Sequence, residues 1–194
     1  MNELLGRHPI VAGLEGPNGA GKSSFNAAYL RKSNLPFINA DQISLQTGVS
    51  AYKAAELAEQ LRRGLVEQQD SFIFETVLSD PVGAKLDILK LAENKGYTAL
   101  LIFIGVDSSQ CSEERVAMRV SKGGHDVPQE KIPQRYARTM KNLQRALTQI
   151  SNIRVYDNSD LEKPYRFIAT KDKGQHVVVH SPTPKWLKPL LRGR

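Results

Sequence analysis

Cysteine is almost missing from this chain of 194 residues. Cys111 stands alone, so no internal disulfide can staple the fold, and a chain of this kind fits a reducing cytoplasm. No apolar run approaches the roughly 18 residues of a membrane span. The N-terminus lacks the charged, then apolar, then small-residue succession of a secretory leader. Internal repeats and low-complexity segments are also absent. What is present is 40% hydrophobic and 24% charged, the balance of a globular protein rather than a disordered one. The length suits one domain with a proper core and is short for two.

The net charge of +7 is unevenly placed. Residues 115–150 carry eight Lys/Arg against two acids, and residues 160–194 carry eight against three. Such basic stretches suit nucleic acid or any other phosphate-bearing ligand, and composition does not choose between them.

Continuous apolar runs alternate with helical patterns. Strands are expected at Ile10–Leu14, Pro36–Asn39, Phe72–Phe74, Ala99–Val106 and Ile153–Tyr156. Helices are expected at Ser23–Lys32, Ala51–Gln68, Pro81–Asn94, Ser109–Lys122 and Pro128–Ile150. This alternation predicts an α/β fold, a five-stranded parallel sheet covered by helices on both faces. After Asp160 the pattern changes. Arg166–Thr170 and His176–His180 read as a β-hairpin appended to the core. Pro182 to Arg194 reads as a basic tail that lies over the surface or frays. Residues 1–160 thus form the core, and 161–194 add the hairpin and tail of the same domain.

Between the first strand and the first long helix lies GLEGPNGAGKSS, residues 13–24. Gly16-Pro17-Asn18-Gly19-Ala20-Gly21-Lys22-Ser23 matches the Walker A phosphate loop in full, and Ser24 follows it. The glycines let the backbone curl so that successive N–H groups face an anion, and the helix that starts near Lys22 adds its positive end. Lys22 should reach the β- and γ-phosphates of ATP, and the Ser23 hydroxyl should ligate Mg²⁺. The fold expected is therefore a three-layer P-loop NTPase.

Missing elements narrow the kind. A GTPase needs Asn-Lys-x-Asp, and Asn94-Lys95-Gly96-Tyr97 puts a tyrosine where the aspartate belongs. A transporter-type ATPase needs a longer chain and a serine-glycine-glycine signature. What remains is a small-molecule kinase, built from a phosphate loop, a substrate carboxylate and a cationic lid.

Asp41, in FINADQIS, follows the second strand, and Glu75, in SFIFETVLS, ends the third. In an open parallel sheet both fall at the carboxyl ends where ligands gather. Asp41 either takes the proton of a substrate hydroxyl or caps a helix. Glu75, followed by Thr76, holds the acceptor or the Mg²⁺. The lid spans about residues 115–138. Arg115 and Arg119 share one helix face. Gly123-Gly124 breaks that helix, and Arg135 and Arg138 ride the next one. Arginine forks on two hinged helices can close over a polyphosphate. The alternative is a solvated basic face. His125 touches phosphate or substrate, or only braces its loop.

Assembled, GPNGAGKSS, FINAD, FETVLS, RVSKGGHDVPQEKIPQRYAR and VYDNS resemble the zeta-toxin family of P-loop kinases, and more closely its short bacterial branch of predicted ATPases. The resemblance covers about residues 10–160. It implies Lys22 for ATP, Asp41 as base toward a substrate hydroxyl, and Arg119 with Arg135 on the phosphates, Arg138 rivalling Arg135. It places Asn158, in YDNS, near the adenine. It also implies a small-molecule acceptor such as UDP-N-acetylglucosamine and a small antitoxin that blocks the ATP site. This chain is shorter than the toxins and carries its own basic hairpin and tail. A nucleic-acid-directed P-loop kinase or RNA-binding ATPase is the alternative. It is motivated by the cations flanking Trp186, since cations beside an aromatic can hold a single strand.

Overall fold

The computed structural model describes residues 2–124 and 127–191. Its frame is one mostly parallel sheet. Strands β1 (Ile10–Glu15), β2 (Phe37–Asn39), β3 (Phe72–Thr76), β4 (Thr98–Gly105) and β5 (Asn152–Asp157) pair in parallel in the order β2-β3-β1-β4-β5. The expected hairpin does not stand apart. Strands β6 (Arg166–Lys171) and β7 (Val178–Val179) continue the same sheet antiparallel beyond β5, giving seven strands.

Alternation of side chains divides the core in two. From β1, Ile10, Ala12 and Leu14 join Ile73, Leu100, Ile102 and Ile104 on one face. Phe25 and Leu30, from helix α2 (Lys22–Phe25) and the turn after it, cover that face together with α1 (Asn2–Leu5). On the other face Val11, Phe72, Phe74, Leu101 and Phe103 meet α4 (Ala51–Glu67), α5 (Asp87–Asn94) and α7 (Ile132–Gln149), once α3 (Ala40–Thr47) and α6 (Ser109–Ser121) have been passed along the chain. The result is the expected three layers, with strands buried on both sides.

Local chemistry explains where the helices depart from expectation. The helix expected over Ser23–Lys32 runs as α helix only to Phe25. It widens to a π-turn over Asn26–Leu30 and closes as a 3₁₀ turn at Arg31–Ser33. Helix α3, not anticipated, forms because the buried Asn39 side chain accepts from the N–H groups of Asp41 and Gln42. The expected Pro81–Asn94 helix shortens to α5. Asp80 accepts from the Ala84 N–H, and the chain enters through a 3₁₀ turn at Ala84–Leu86.

The tail differs most. Trp186 and Leu187 are buried in the larger core. The indole lies over Gly105, where any Cβ would collide with it, and beside Phe103 at 6.0 Å between ring centroids. Its Nε1 donates to Asp157 Oδ1 at 3.0 Å. A surface or frayed tail is therefore corrected as far as Leu191, where α8 (Lys188–Leu191) ends. The apolar Trp186-Leu187 pair inside a basic segment outweighs its charges. Trp186 faces the core, so it offers no ring for stacking a nucleic-acid base.

Candidate active site

The phosphate loop follows directly from β1. Gly16 has φ 150, and a Cβ there would collide with the Ile104 carbonyl, so only glycine lets the loop pass so close to β4. Gly21 opens α2 with φ 87, and no side chain caps the helix, which leaves its first N–H groups for a ligand. Pro17, Asn18 and Ala20 are buried within the loop, and Gly19 packs against Ser112 and Arg115 of α6.

Lys22 is buried. Its Nζ donates to the carbonyls of Gly16 at 3.0 Å and Pro17 at 3.1 Å. Burial pushes its pKa below the usual lysine value, against the pull of Glu75 and Glu15. Ser23 Oγ donates to both Glu75 oxygens, at 3.1 and 3.3 Å. A hydroxyl and a carboxylate converging at the mouth of a phosphate loop form a hard, all-oxygen donor set, which suits Mg²⁺ completed by phosphate and water oxygens.

The sheet register places Asp41. Asn39 pairs with Glu75 across β2 and β3, and Asp41 stands two residues beyond, exposed in the first turn of α3. Since Asn39 is the cap, the helix-cap role considered for Asp41 is removed, and its carboxylate has no hydrogen-bond partner among the described residues. Ser23, Glu75 and Asp41 thus all sit at or just past strands that end on the same, carboxyl, edge of the sheet.

Three expected ligands are tied into the frame. Thr76 Oγ1 donates to Glu15 Oε2 at 2.6 Å. Asn158 Nδ2 donates to the Ala20 carbonyl at 2.9 Å, while its Oδ1 accepts from the Tyr165 N–H. Asn158 thus braces the loop. The Tyr165 hydroxyl is bonded to Gly21 O and hydrogen-bonded with Ser24, so β6 and its approach hold the loop from the other side. Arg115 Nη2 donates to the Ser159 carbonyl at 3.0 Å, and that bond keeps α6 against Gly19.

The lid arginines separate. Arg119 lies close enough for its charge to act on Lys22, and Arg135 acts on Lys85. Arg138 is half-buried, one turn further along α7. Gly123, at φ 80, turns the chain, and the Gly124 N–H returns to the Arg119 carbonyl at 3.0 Å. Tyr136 anchors the second lid helix by donating to Val106 O at 2.8 Å. His125 lies outside the described residues.

Sequence reasoning missed a buried charged group behind the loop. Glu15, the last residue of β1, has no exposed surface, and its Oε1 has no partner among the described residues. Burial raises its pKa to about 7, although Thr76 and the nearby Lys85, Lys22 and Arg62 oppose the rise. Lys85 Nζ donates to Val77 O at 2.9 Å, and burial lowers its pKa. Arg62, buried on α4, lies 5.3 Å from the Phe74 ring centroid. A glutamate closing an otherwise apolar strand was the available signal for this group.

This fold and loop define a P-loop kinase. The zeta toxin family model matches residues 5–167, and the chain belongs to the zeta toxin family. An uncharacterised protein of Haemophilus influenzae is 26% identical over 126 residues, 62% of this chain and 88% of that protein. Among solved structures, the AvrRxo1-ORF1:-ORF2 complex with ATP is similar at TM-score 0.72 and 18% identity, over 97% of this chain and 66% of that one. This chain therefore spans just under two thirds of that relative. The PezAT toxin–antitoxin system of Streptococcus pneumoniae is similar at TM-score 0.63 and 15% identity, over 97% and 80%. Shikimate kinase from Bacteroides thetaiotaomicron is similar at TM-score 0.52 and 19% identity, over 79% and 89%. No helix among the described residues is long and apolar enough to cross a membrane.

Proposed function

We propose that the protein moves the γ-phosphate of ATP onto a hydroxyl of a small molecule, with UDP-N-acetylglucosamine as the acceptor to test first. The observation that carries this reading is the convergence of Lys22, Ser23 and Glu75 at the mouth of the loop, with Asp41 just beyond the strand that pairs with Glu75.

Loop N–H groups from Gly16 to Ser24 bind the phosphates, and Lys22 leaves its two carbonyls for β- and γ-phosphate oxygens. Ser23 and Glu75 would hold Mg²⁺, which when bound would neutralise charge on those phosphates. Asp41 orients the acceptor hydroxyl and takes its proton as the oxygen bonds to the γ-phosphorus. The bond from that phosphorus to the bridging oxygen breaks, and ADP leaves with the electron pair. Arg119 and Arg135 neutralise charge on the moving phosphoryl group, while Arg115 and Arg138 face the bound nucleotide. Thr76 and Asn158 act through Glu15 and Ala20 as positioning residues. The reading includes an antitoxin as protein partner, supported by the toxin–antitoxin system to which the pneumococcal neighbour belongs.

The test is incubation with Mg-ATP and UDP-N-acetylglucosamine, read by mass spectrometry beside Lys22→Ala and Asp41→Ala. A phosphorylated sugar nucleotide made by the wild type and by neither variant is expected. Equal product from the Asp41 variant would remove Asp41 from the mechanism.

A further inference from the structure

A cavity of about 340 Å³ opens beside Ser23 and runs along the outside of α2 toward β2. Ser23, of the proposed metal ligand set, and Gln42, next to Asp41, both line it. The π-turn forms one wall through Asn26 and Leu30, and Phe37 at the start of β2 faces them. Arg31, one turn beyond Ala27, also lines it. π-turns widen a helix locally and recur at functional sites.

Ser23 apart, the polar side chains in this cavity are uncommitted. Among the described residues, the side chains of Asn26, Arg31 and Gln42 have no hydrogen-bond or ion-pair partner. Lys22, Lys85, Arg115 and Arg62, by contrast, are engaged with carbonyls or carboxylates. Arg31 is a planar fork with nothing in it, which matches a phosphate or carboxylate. Leu30 and Phe37 supply an apolar middle, and the two amides supply hydrogen bonds along its length. Ligand sites combine these features, an apolar lining with a few placed polar groups.

We propose that this cavity is the acceptor's second subsite, taking a hydroxyl compound whose anionic group docks on Arg31. The inference rests on the kinase reading for the reacting end only. Arg31 lies eight residues beyond Ser23 across the π-turn, within roughly the 12 Å that regular α-helical rise would give. The acceptor is thus an extended molecule, with its reacting hydroxyl near Asp41 and its anion about that far away. The volume is at the lower end of the roughly 300–1,000 Å³ of small-molecule pockets, room for one ring and its anionic substituent. The anion can belong to a sugar monophosphate or to the pyrophosphate of a nucleotide sugar.

Calorimetry in the presence of a non-hydrolysable ATP analogue and Mg²⁺ separates these. The probes are N-acetylglucosamine 1-phosphate, UDP-N-acetylglucosamine and neutral N-acetylglucosamine. The proteins are wild type, Arg31→Gln and Ala27→Phe, the latter filling the cavity from its wall. Titration with the analogue itself reports whether each variant is folded. At least one anionic probe should bind more tightly than the neutral sugar, and about tenfold or more of that affinity should be lost in both variants. The monophosphate winning places a sugar phosphate in the cavity, and the nucleotide sugar winning places a pyrophosphate there. Anionic probes no tighter than the neutral sugar, or equally tight on Arg31→Gln, overturn the subsite. Failure of the kinase reading looks different: binding that depends on Arg31 with no phosphate transferred keeps the subsite and removes the transfer.

Discussion

Ser23 and Glu75, 52 residues apart, meet with Oγ 3.1 Å from Oε2. The meeting is a product of sheet order. β3 lies beside β1 in parallel, so its carboxyl end arrives where the phosphate loop turns into α2. If this pair holds Mg²⁺, its loss should be felt in metal dependence first. Ser23→Ala and Glu75→Gln should each raise the Mg²⁺ concentration needed for half-maximal turnover by about tenfold or more, since each removes one of few protein ligands. An unchanged Mg²⁺ titration would take the pair out of the metal site.

Asp41 predicts a separation of binding from chemistry. Asp41→Ala should lower kcat by about 10²–10⁴-fold, the usual loss when a positioned base is removed. Its affinity for ATP should stay near wild type, because Asn39 rather than Asp41 holds the helix start. Lys22→Ala should lose both, as the lysine belongs to the loop itself. Equilibrium binding of a fluorescent ATP analogue, beside turnover, distinguishes the two patterns.

The two second-lid arginines should not be equivalent. Arg135 lies close enough to act on the charge of Lys85, so Arg135→Ala should cost about 10²–10³-fold in kcat. Arg138→Ala should act mainly through KM for ATP. The reverse ranking would exchange their roles.

Much of this was legible from residue order. The Walker loop, Asp41, Glu75 and the lid arginines sit on short motifs whose positions follow from strand ends, and parallel sheets put strand ends together. Long-range packing was not legible. Nothing near Asn158 in the chain reveals that its amide reaches the Ala20 carbonyl, 138 residues away. The tail read as solvated because seven of its neighbours are cations or prolines, yet one indole fits the space that Gly105 leaves. Glu15 was passed over because it stands inside the motif and looks like part of the strand.

Trp186 should therefore matter to stability far more than a terminal residue does. Its ring fills core space beside Phe103, and its N–H is one of the bonds on Asp157. Burial alone would raise the Asp157 pKa, but the bonds from Ser159, Trp186 and Arg166 hold it below the usual carboxylate value. Trp186→Ala should destabilise the fold by about 3–5 kcal/mol. Trp186→Phe should recover much of this by refilling the space. Denaturant melts followed by circular dichroism compare the variants, and a melt of Trp186→Ala that overlays wild type would contradict the burial.

Glu15 gives the fold an unusual pH dependence. Its carboxyl has a pKa of about 7 in the folded chain against an ordinary 4.5, because burial disfavours the ionised form. Below about pH 4.5 both states hold the proton, and this group is neutral in its effect. As pH rises from there to about 7, the unfolded chain ionises and the folded chain does not, so stability falls. Above about 7 the loss levels off, at roughly 3 kcal/mol for a shift of this size. Glu15→Gln keeps an acceptor for Thr76 and has no proton to lose, so its melting temperature should fall less than that of wild type between about pH 5 and about pH 8. Parallel pH–stability curves for the two proteins would mean that Glu15 is ionised in the fold, held so by Lys22, Lys85 and Arg62.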